Sequence, residues 1–229
     1  MENRVSVVIP AFNEENAIGQ VLGDLPWDLL SQVVVVDNNS SDKTQEEAQK
    51  GGAIVLKEHF QGYGASCLKG INYLLEQELP PDIIVFLDAD YSDHPNELPA
   101  LLAPILQDKF DLVIGSRALG NREKGSMTFP QVFGNWLATS LIRFIYGVRY
   151  TDLGPFRAVK TSSLVKLGMC DLTYGWTVEM QVKAAKLGML VKDVPVSYRQ
   201  RIGVSKISGT IKGTLLAGYK IITTIFKYR

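Results

Sequence analysis

The chain has 229 residues, of which 46% are hydrophobic and 21% charged, and its formal net charge is zero. This composition is typical of one globular domain with a sizeable core, and no internal repeat or low-complexity tract is present. The two cysteines, Cys67 and Cys170, lack metal-ligand spacing; they argue against a disulfide framework and favour a reducing compartment. Residues 1–4 run directly into an apolar segment without a cleavable signal peptide, so we expect a cytoplasmic protein.

The charges are unevenly distributed along the chain. No Asp or Glu follows Asp193, and the last 36 residues carry seven cations, so the preceding part is acidic. A basic tail on an acidic body indicates an anionic partner, such as phosphates, a lipid surface or nucleic acid. The alternative is a solvated helix face.

Strands and helices alternate through the first half of the chain. Apolar runs rich in β-branched residues predict buried strands over residues 5–10, 32–37, 53–56, 83–88 and 112–115. Helical patterns begin near Asn13, after the capping residues 40–44, and over residues 62–75 and 95–106. This alternation predicts a parallel sheet covered by helices.

The second half is less regular. We expect helices over residues 131–150, 177–187 and 208–227, and a strand over residues 191–194. The stretch 131–150 is apolar, but Arg143 and several polar residues make it a poor membrane span. Residues 208–227 place lysines between apolar residues at roughly helical spacing, which indicates an amphipathic helix.

Polar residues follow three of the predicted strands. Asn13, Asp37 and the pair Asp88 and Asp90 all fall at carboxyl ends of strands. In parallel sheets, ligands bind beyond these ends. We therefore expect these side chains to share one site.

The segment Asp88-Ala89-Asp90 is the strongest metal candidate. Two carboxylates this close repel each other unless a cation lies between them. Mg²⁺ and Mn²⁺ prefer oxygen ligands and commonly bridge a protein carboxylate to substrate phosphates. The alternative is that Asp90 caps the following turn.

Asp37 ends the second strand and could accept hydrogen bonds from a nucleobase or ribose. The neighbouring Asp42 is interpreted as a helix cap. The segment Gly62-Tyr63-Gly64 could bring backbone N–H groups to a phosphate, but it lacks the full dinucleotide fingerprint, and glycines of a tight turn are the preferred interpretation.

Basic residues suited to phosphate lie further along the chain. Arg117 and Arg157 are candidate phosphate ligands, because guanidinium matches phosphate bidentately; surface ion pairs are the alternative. Arg201, Ser205 and Lys206 surround a glycine in a manner that suits a mobile loop closing on a diphosphate.

Two acids in the second half are candidates for a general base. Asp152 follows the apolar stretch, and Glu179 begins a predicted helix whose dipole would keep it ionised. The alternative for Glu179 is charge compensation at the helix N-terminus.

Seven segments in order resemble glycosyltransferase family 2, and most of all the branch of dolichyl-phosphate mannose and glucose synthases. They are VSVVIPAFNEE, VVVVDNNSSDKT, HFQGYGAS, FLDADYSDHP, GSR, TDLGPFRAV and RIGVSKISG, and together they span nearly the whole chain. The resemblance implies a GT-A fold. It also implies inverting transfer of a hexose from a UDP- or GDP-sugar to a hydroxyl or polyprenyl-phosphate acceptor, with Mg²⁺ or Mn²⁺ on the diphosphate.

The resemblance also divides the chain. A single GT-A domain over residues 1–229 would comprise a nucleotide-sugar-binding half at 1–117, an acceptor half with its lid at 118–206, and a basic amphipathic helix at 207–229. The implied nucleotide-sugar ligands are Pro10, Ala11, Asn13, Glu14, Asp37, Asp88, Arg117, Arg201, Ser205 and Lys206. The implied metal ligands are Asp90 and Asp88. With the general-base candidate Asp152, the predicted catalytic residues are Asp90, Arg157, Glu179 and Asp152.

Some features depart from that branch. Ser92 stands where its members often have Gln as an extra ligand on the metal side, and the segment 151–157 differs from theirs. Residues 131–150 and the basic tail could touch a membrane peripherally or form a homodimer.

Three other functions are alternatives to glycosyl transfer. A non-catalytic nucleotide-sugar or membrane-binding module is the main alternative to an enzyme. A nucleotidyltransferase and a dehydrogenase are disfavoured, because the first strand is not followed by their glycine-rich signatures. No nucleic-acid partner is expected.

Overall fold

The computed structural model describes residues 3–107, 109–203 and 211–229. In the described part of the chain, seven strands form one sheet. They are β1 (Val5–Ala11), β2 (Gln32–Asp37), β3 (Ile54–Lys57), β4 (Ile83–Phe86), β5 (Leu112–Ser116), β6 (Arg157–Lys160) and β7 (Val191–Pro195).

Eight α-helices accompany these strands in the same part of the chain. They are α1 (Ile18–Gly23), α2 (Thr44–Lys50), α3 (Tyr63–Leu75), α4 (Leu98–Leu106), α5 (Phe129–Tyr146), α6 (Thr161–Leu167), α7 (Trp176–Lys186) and α8 (Ile211–Lys227). None of these helices is both long and apolar enough to cross a bilayer. The poor membrane span expected for residues 131–150 agrees with this finding.

The strand order is β3-β2-β1-β4-β6-β5-β7. The first three strands and β4 run parallel to one another, as do β5 and β7. Strand β6 lies between β4 and β5 and is antiparallel to both. The mostly parallel sheet is as predicted, but β6 was missed. Its sequence, Arg-Ala-Val-Lys, has only two apolar residues between two charged ones, so it lacks the apolar β-branched run that predicted the strands of the first half.

Both faces of the sheet are covered, which explains the continuous apolar runs of its strands. On one face, Val7 and Ile9 of β1 pack with apolar residues of α1, α2 and α4. On the other face, Val8 packs with residues of α3 and of α5 to α8. Because successive side chains of a strand point to opposite faces, β1 contributes to both layers.

The helix predicted over residues 131–150 is shifted towards the N-terminus. Thr128 and Gln131 form a capping box at the start of α5. The helix ends at Gly147, whose φ of 73° is a left-handed conformation that glycine adopts without steric cost. The residues after Gly147 are therefore free to turn back towards the sheet.

Candidate active site

A pocket of about 350 Å³ opens at the carboxyl edge of the sheet. Its wall is built from the ends of β1 and β4, the start of α3, and two short loops. The lining residues are Pro10, Ala11, Phe12, Glu14, Asn38, Gln61, Gly62, Tyr63, Ser66, Asp88, Ala89, Asp90, Thr173, Tyr174 and Arg201. The structure thus brings together Pro10, Ala11, Glu14, Asp88, Asp90 and Arg201 of the predicted site.

The backbone is unusual at this edge. Among the described non-glycine residues, those with positive φ are Asn13, Asn39 and Tyr91, at 55°, 66° and 62°. They follow β1, β2 and β4 respectively, so each marks a sharp turn where the chain leaves the sheet towards the pocket. Such conformations cluster at ligand sites because the surrounding structure must hold them in place.

Asp88 presents an unsatisfied carboxylate to the pocket. Its Oδ1 atom is buried and has no hydrogen-bond partner in the structure. Burial, reinforced by the neighbouring charge of Asp90, raises the pKa of Asp88 to about 7. The Tyr63 hydroxyl is buried in the same wall and interacts with the Asp88 carboxylate, but makes no well-formed hydrogen bond to it. A ligand that reaches Asp88 Oδ1 would complete the bonding of this oxygen.

Asp90 is held from two sides. Its Oδ1 accepts hydrogen bonds from the Ser92 backbone N–H at 2.9 Å and from the Ser92 hydroxyl at 2.5 Å. Its Oδ2 lies 3.1 Å from Arg201 Nη1. Ser92, at the position of the expected departure, therefore orients the carboxylate of Asp90 and keeps its other oxygen towards the pocket.

These two carboxylates fit a hard divalent cation. Asp88 has a buried oxygen without a hydrogen-bond partner, and Asp90 has an oxygen that contacts the positively charged guanidinium of Arg201. In the described residues, no three His, Cys, Asp or Glu side chains are grouped to hold a metal. The protein would thus supply two oxygen ligands to Mg²⁺ or Mn²⁺, with substrate oxygens and water as the others.

Arg201 closes one side of the pocket. Its Nη2 atom lies 2.9 Å from Glu14 Oε1, in addition to the contact with Asp90. The Ile202 N–H donates to the Asp90 carbonyl oxygen at 3.0 Å, so the chain here lies along the turn that carries Asp90. The other predicted lid residues, Ser205 and Lys206, lie outside the described part of the structure.

Asp37 and Asn13 organise the loops beside the pocket rather than its wall. Asp37 is fully buried and accepts hydrogen bonds from the Ser40 N–H and from Gln45 Nε2 at 2.8 Å. Asn13 Oδ1 accepts from the Ser41 N–H at 2.8 Å. The loops after β1 and β2 are thereby fastened together.

Arg117 pairs with Asp152. Two guanidinium nitrogens and the backbone N–H of Arg117 reach the Asp152 carboxylate at 2.6 to 2.9 Å. Burial opposes the charge of Asp152, but Arg117 outweighs it and lowers the pKa of Asp152. The carboxylate is thus held ionised in an ion pair, and neither residue lines the pocket.

Arg157, a predicted phosphate ligand, is not among the residues that line the pocket. It is fully buried, and its guanidinium donates to the carbonyl oxygens of Leu153, Gly154 and Thr177. Its charge interacts with Tyr63 of the pocket wall, so Arg157 lies behind that wall rather than on its surface. In this structure, Arg157 fastens the loop 153–156 to the start of α7.

Glu179 is also away from the pocket. Its carboxylate accepts hydrogen bonds from the Asp171 N–H at 2.7 Å, the Cys170 N–H at 3.1 Å and the Tyr228 hydroxyl at 2.8 Å. Lys183 Nζ lies 2.8 Å away. Burial raises the pKa of Glu179, but the hydrogen bonds from Cys170, Lys183, Asp171 and Tyr228 outweigh burial and lower it to about 2.

A second pocket, of about 290 Å³, lies between α5 and the loops 117–127 and 149–152. Its wall is mostly apolar, with Met127, Val132 and Trp136. Arg122, Arg149 and Asp152 also line it. This combination of apolar side chains and two cations suits a ligand with an anionic head and an apolar body.

Several residues that line the pocket were not predicted from the sequence. Asn38 lines the pocket and binds the turn before α3, donating to the Phe60 carbonyl oxygen at 2.7 Å and accepting from the Gly62 N–H at 2.8 Å. Its place directly after Asp37 was the available signal. Thr173 and Tyr174 reach the pocket from a loop distant in sequence, for which the sequence carries no local signal.

The described residues form an α/β fold with an acidic pocket at the carboxyl edge of its sheet, and comparison with known proteins identifies the family. Residues 6–168 match the model of glycosyl transferase family 2, which is more than half of the chain. The chain therefore belongs to glycosyl transferase family 2. It is a glycosyltransferase, so the alternative of a non-catalytic module is set aside.

Two curated relatives act on lipid-linked phosphates by name. A dolichyl-phosphate hexose transferase of Haloferax volcanii is 31% identical over 231 residues, which are 98% of this chain and 95% of the relative. An undecaprenyl-phosphate mannosyltransferase of Micrococcus luteus is 30% identical over 222 residues, which are 92% of this chain and 90% of the relative. The resemblance to the polyprenyl-phosphate branch is thereby confirmed.

Solved structures confirm the GT-A fold. Glucosyl-3-phosphoglycerate synthase from Mycobacterium tuberculosis, in complex with Mn²⁺, UDP and phosphoglyceric acid, is similar with a TM-score of 0.76. The identity is 22%, and the alignment covers 99% of this chain and 78% of that one. At this identity the likeness establishes the fold.

Proposed function

We propose that this protein transfers a hexose from a UDP- or GDP-sugar to a polyprenyl phosphate, with inversion, and that a divalent cation on the diphosphate is held by Asp90 and Asp88. The observation that carries the proposal is the pair of carboxylates in the pocket, one with an unpartnered buried oxygen. A similar fold with Mn²⁺ and UDP bound supports the donor class.

The donor would lie in the 350 Å³ pocket between β1, β4 and α3. Pro10, Ala11 and Glu14 on its wall would face the nucleotide, and Arg201 would approach the diphosphate. A bound cation would neutralise the diphosphate as it leaves. Arg201 would also neutralise negative charge on the departing diphosphate, since a guanidinium binds phosphate oxygens with two parallel hydrogen bonds.

The contacts of the two candidate bases favour a phosphate acceptor over an alcohol. Asp152 is occupied by Arg117, and Glu179 is occupied by the backbone of residues 170–171 and by Lys183 and Tyr228. Neither carboxylate faces the pocket. A phosphate monoester is already an anion, so it can attack the anomeric carbon without a base, whereas an alcohol needs its proton removed.

The second pocket supports the same acceptor. Its apolar wall with Val132 and Trp136 suits an isoprenoid chain, and Arg122 and Arg149 suit the phosphate head. We place the acceptor there, with its phosphate directed towards the donor pocket. The names of the two curated relatives favour this acceptor class.

The surface of α5 supports peripheral membrane contact. Phe129, Phe133, Trp136 and Phe144 lie on one face of this helix at helical spacing, and Phe129 and Phe144 are 81% and 89% exposed. No Asp or Glu occurs between Lys124 and Thr151. An apolar helix face without acids, beside cations, suits the surface of a bilayer with anionic lipids.

A matched pair of acceptors tests the reaction. Purified protein is screened with UDP- and GDP-hexoses and Mg²⁺ or Mn²⁺, using a short polyprenyl phosphate and the corresponding polyprenol. We expect lipid-linked product from the phosphate and none from the alcohol, and Asp90→Asn should abolish it. Transfer to the polyprenol alone would overturn the proposed acceptor. No hydrolysis or binding of any donor by folded protein would overturn the proposed donor class.

A further inference from the structure

The loop of residues 170–175, between α6 and α7, forms one wall of the donor pocket. Thr173 and Tyr174 line the pocket. The Ala65 N–H at the start of α3 donates to the Leu172 carbonyl oxygen at 2.9 Å. The loop and the first turn of α3 are so close that a Cβ added to Gly64 would lie 1.9 Å from the Asp171 carbonyl oxygen. The position of the loop therefore sets the shape of this side of the pocket.

The loop is held at its base by Glu179. The Cys170 and Asp171 N–H groups both donate to its carboxylate, at 3.1 Å and 2.7 Å. The Cys170 thiol lies 3.0 Å from Oε1. Within the loop, Asp171 Oδ1 accepts from the Thr173 N–H at 2.8 Å and from the Gly175 N–H at 3.2 Å. Glu179 thus holds the base of the segment that carries the two pocket residues, and Asp171 holds the turn within it.

The C-terminal helix completes this anchor. The Tyr228 hydroxyl donates to Glu179 Oε1 at 2.8 Å, and Lys220 Nζ lies 2.8 Å from Asp171 Oδ2. Lys186 Nζ donates to the Tyr228 carbonyl oxygen at 3.0 Å, which fastens the end of the chain to α7. The last turns of α8 are therefore bonded to the same loop that lines the pocket.

We infer that Glu179 is a positioning residue for the donor, which holds the 170–175 loop against α3, and that Tyr228 and Lys220 of the C-terminal segment act with it. The inference rests on the proposed function, since it takes the pocket as the donor site. Docking of the end of α8 and binding of the donor then stabilise each other, because both favour the same placement of the loop.

The test compares Glu179→Gln and Tyr228→Phe with Tyr219→Phe, a matched change on the exposed face of α8. Amide hydrogen exchange is followed for residues 170–175 and, as a reference, for the buried strand β4. Affinity is measured calorimetrically with Mn²⁺ and whichever of UDP and GDP the wild type binds. Steady-state kinetics give KM for the donor and kcat separately.

We expect Glu179→Gln to accelerate exchange in residues 170–175 about tenfold or more without affecting β4. It should weaken nucleotide binding roughly tenfold and raise KM while kcat stays within about twofold, because a bond to a buried charge is lost and a donor replaces an acceptor. Tyr228→Phe should act in the same direction to a smaller extent. Tyr219→Phe should leave the exchange of residues 170–175, the nucleotide affinity and KM unchanged.

Four results would overturn the inference. They are unchanged exchange in Glu179→Gln, equal acceleration in β4, faster loop exchange with unchanged nucleotide affinity, and a fall in kcat at unchanged KM, which would make Glu179 a catalytic base. If the wild type binds neither nucleotide, the proposed function itself fails. Hydrogen exchange then still reports separately whether Glu179 holds the loop.

Discussion

Arg201 joins Asp90 to Glu14 across the mouth of the donor pocket. Its Nη1 atom lies 3.1 Å from Asp90 Oδ2, and its Nη2 atom lies 2.9 Å from Glu14 Oε1. The guanidinium therefore neutralises the carboxylate that we expect to bind the metal. A divalent cation that approaches Asp90 alone competes with Arg201, whereas a cation arriving with a diphosphate offers Arg201 a new partner.

Removing this guanidinium should separate metal binding from donor binding. We expect Arg201→Gln to bind Mn²⁺ alone several-fold more tightly, because a competing cation is gone, and to lose about tenfold or more in kcat/KM for the donor. Titration of free Mn²⁺ by electron paramagnetic resonance measures the first effect. Arg143→Gln on the surface of α5 is the control, and weaker binding of Mn²⁺ by Arg201→Gln would contradict the prediction.

Gly64 allows the 170–175 loop to approach α3. Because a Cβ at this position would lie 1.9 Å from a backbone oxygen, Gly64→Ala must displace the loop, and we expect weaker nucleotide binding by calorimetry. Gly19 in α1 has no atom within 4 Å of such a Cβ. Gly19→Ala should leave binding unchanged and stabilise the protein by up to about 0.5–1 kcal/mol. Equal affinities for the two variants would contradict this view of the loop.

The lowered pKa of Glu179 predicts a dependence of stability on pH. A carboxylate with a depressed pKa in the folded state stabilises the protein above its unfolded pKa, and this contribution is lost as pH falls through its folded pKa. For Glu179, the window extends from about pH 4.5 down to about 2. The free energy of unfolding of the wild type should fall more steeply across this window than that of Glu179→Gln.

Urea denaturation at pH 5 and pH 3 measures this difference. Glu78→Gln, at an exposed position after α3, serves as the control and should retain the slope of the wild type. Parallel stability curves for the wild type and Glu179→Gln would show that the carboxylate is not ionised by its hydrogen-bond donors in the folded state.

The Arg117–Asp152 pair predicts a large effect on stability. Removing one partner of a buried ion pair leaves the other charged and unpaired, so Asp152→Asn should lower the free energy of unfolding by about 3 kcal/mol. The exposed pair of Arg4 and Asp82, 3.9 Å apart, provides a matched control, and Asp82→Asn should cost less than about 1 kcal/mol. Chemical denaturation of both variants decides between this structural role and a purely catalytic one.

The aromatic face of α5 predicts binding to anionic vesicles. Replacing Phe133, Trp136 and Phe144 together by Ser should weaken sedimentation with vesicles of phosphatidylglycerol and phosphatidylcholine at least about tenfold, because each side chain loses apolar burial in the interface. Leu79→Ser and Leu187→Ser, both exposed elsewhere, should have little effect. Analytical ultracentrifugation without lipid tests whether this face is a dimer interface instead. A stable wild-type dimer that the triple variant abolishes would show that the face binds a second copy of the chain rather than a membrane.

The strands of the first half were predictable from the sequence, because an apolar β-branched run is a local pattern that depends only on neighbouring residues. Continuous β-branched runs predicted five of the strands, and both faces of the sheet are indeed covered. Strand β6 escaped detection, since its two apolar residues between two charged ones do not form such a run, and only pairing with β4 and β5 makes them a strand. Its antiparallel direction could not be read from the chain for the same reason.

The predicted site residues also fall into two groups: those placed by the order of strands, and those placed by contacts with residues distant in the chain. Asp88 and Asp90 follow a strand of the predicted parallel sheet, so their place at its carboxyl edge was determined by the sequence. Asn13 and Asp37 were expected in the same site, but in the structure they hold the neighbouring loops and do not line the pocket. The place of Glu14 was implied by the family resemblance alone.

The roles of Arg157 and Glu179 depended on contacts with residues distant in the chain. Only the tertiary structure shows that Arg157 binds backbone carbonyl oxygens and that Tyr228, 49 residues away, binds Glu179. The sequence gives the charge of each side chain, but tertiary packing determines which partner lies close enough to neutralise it.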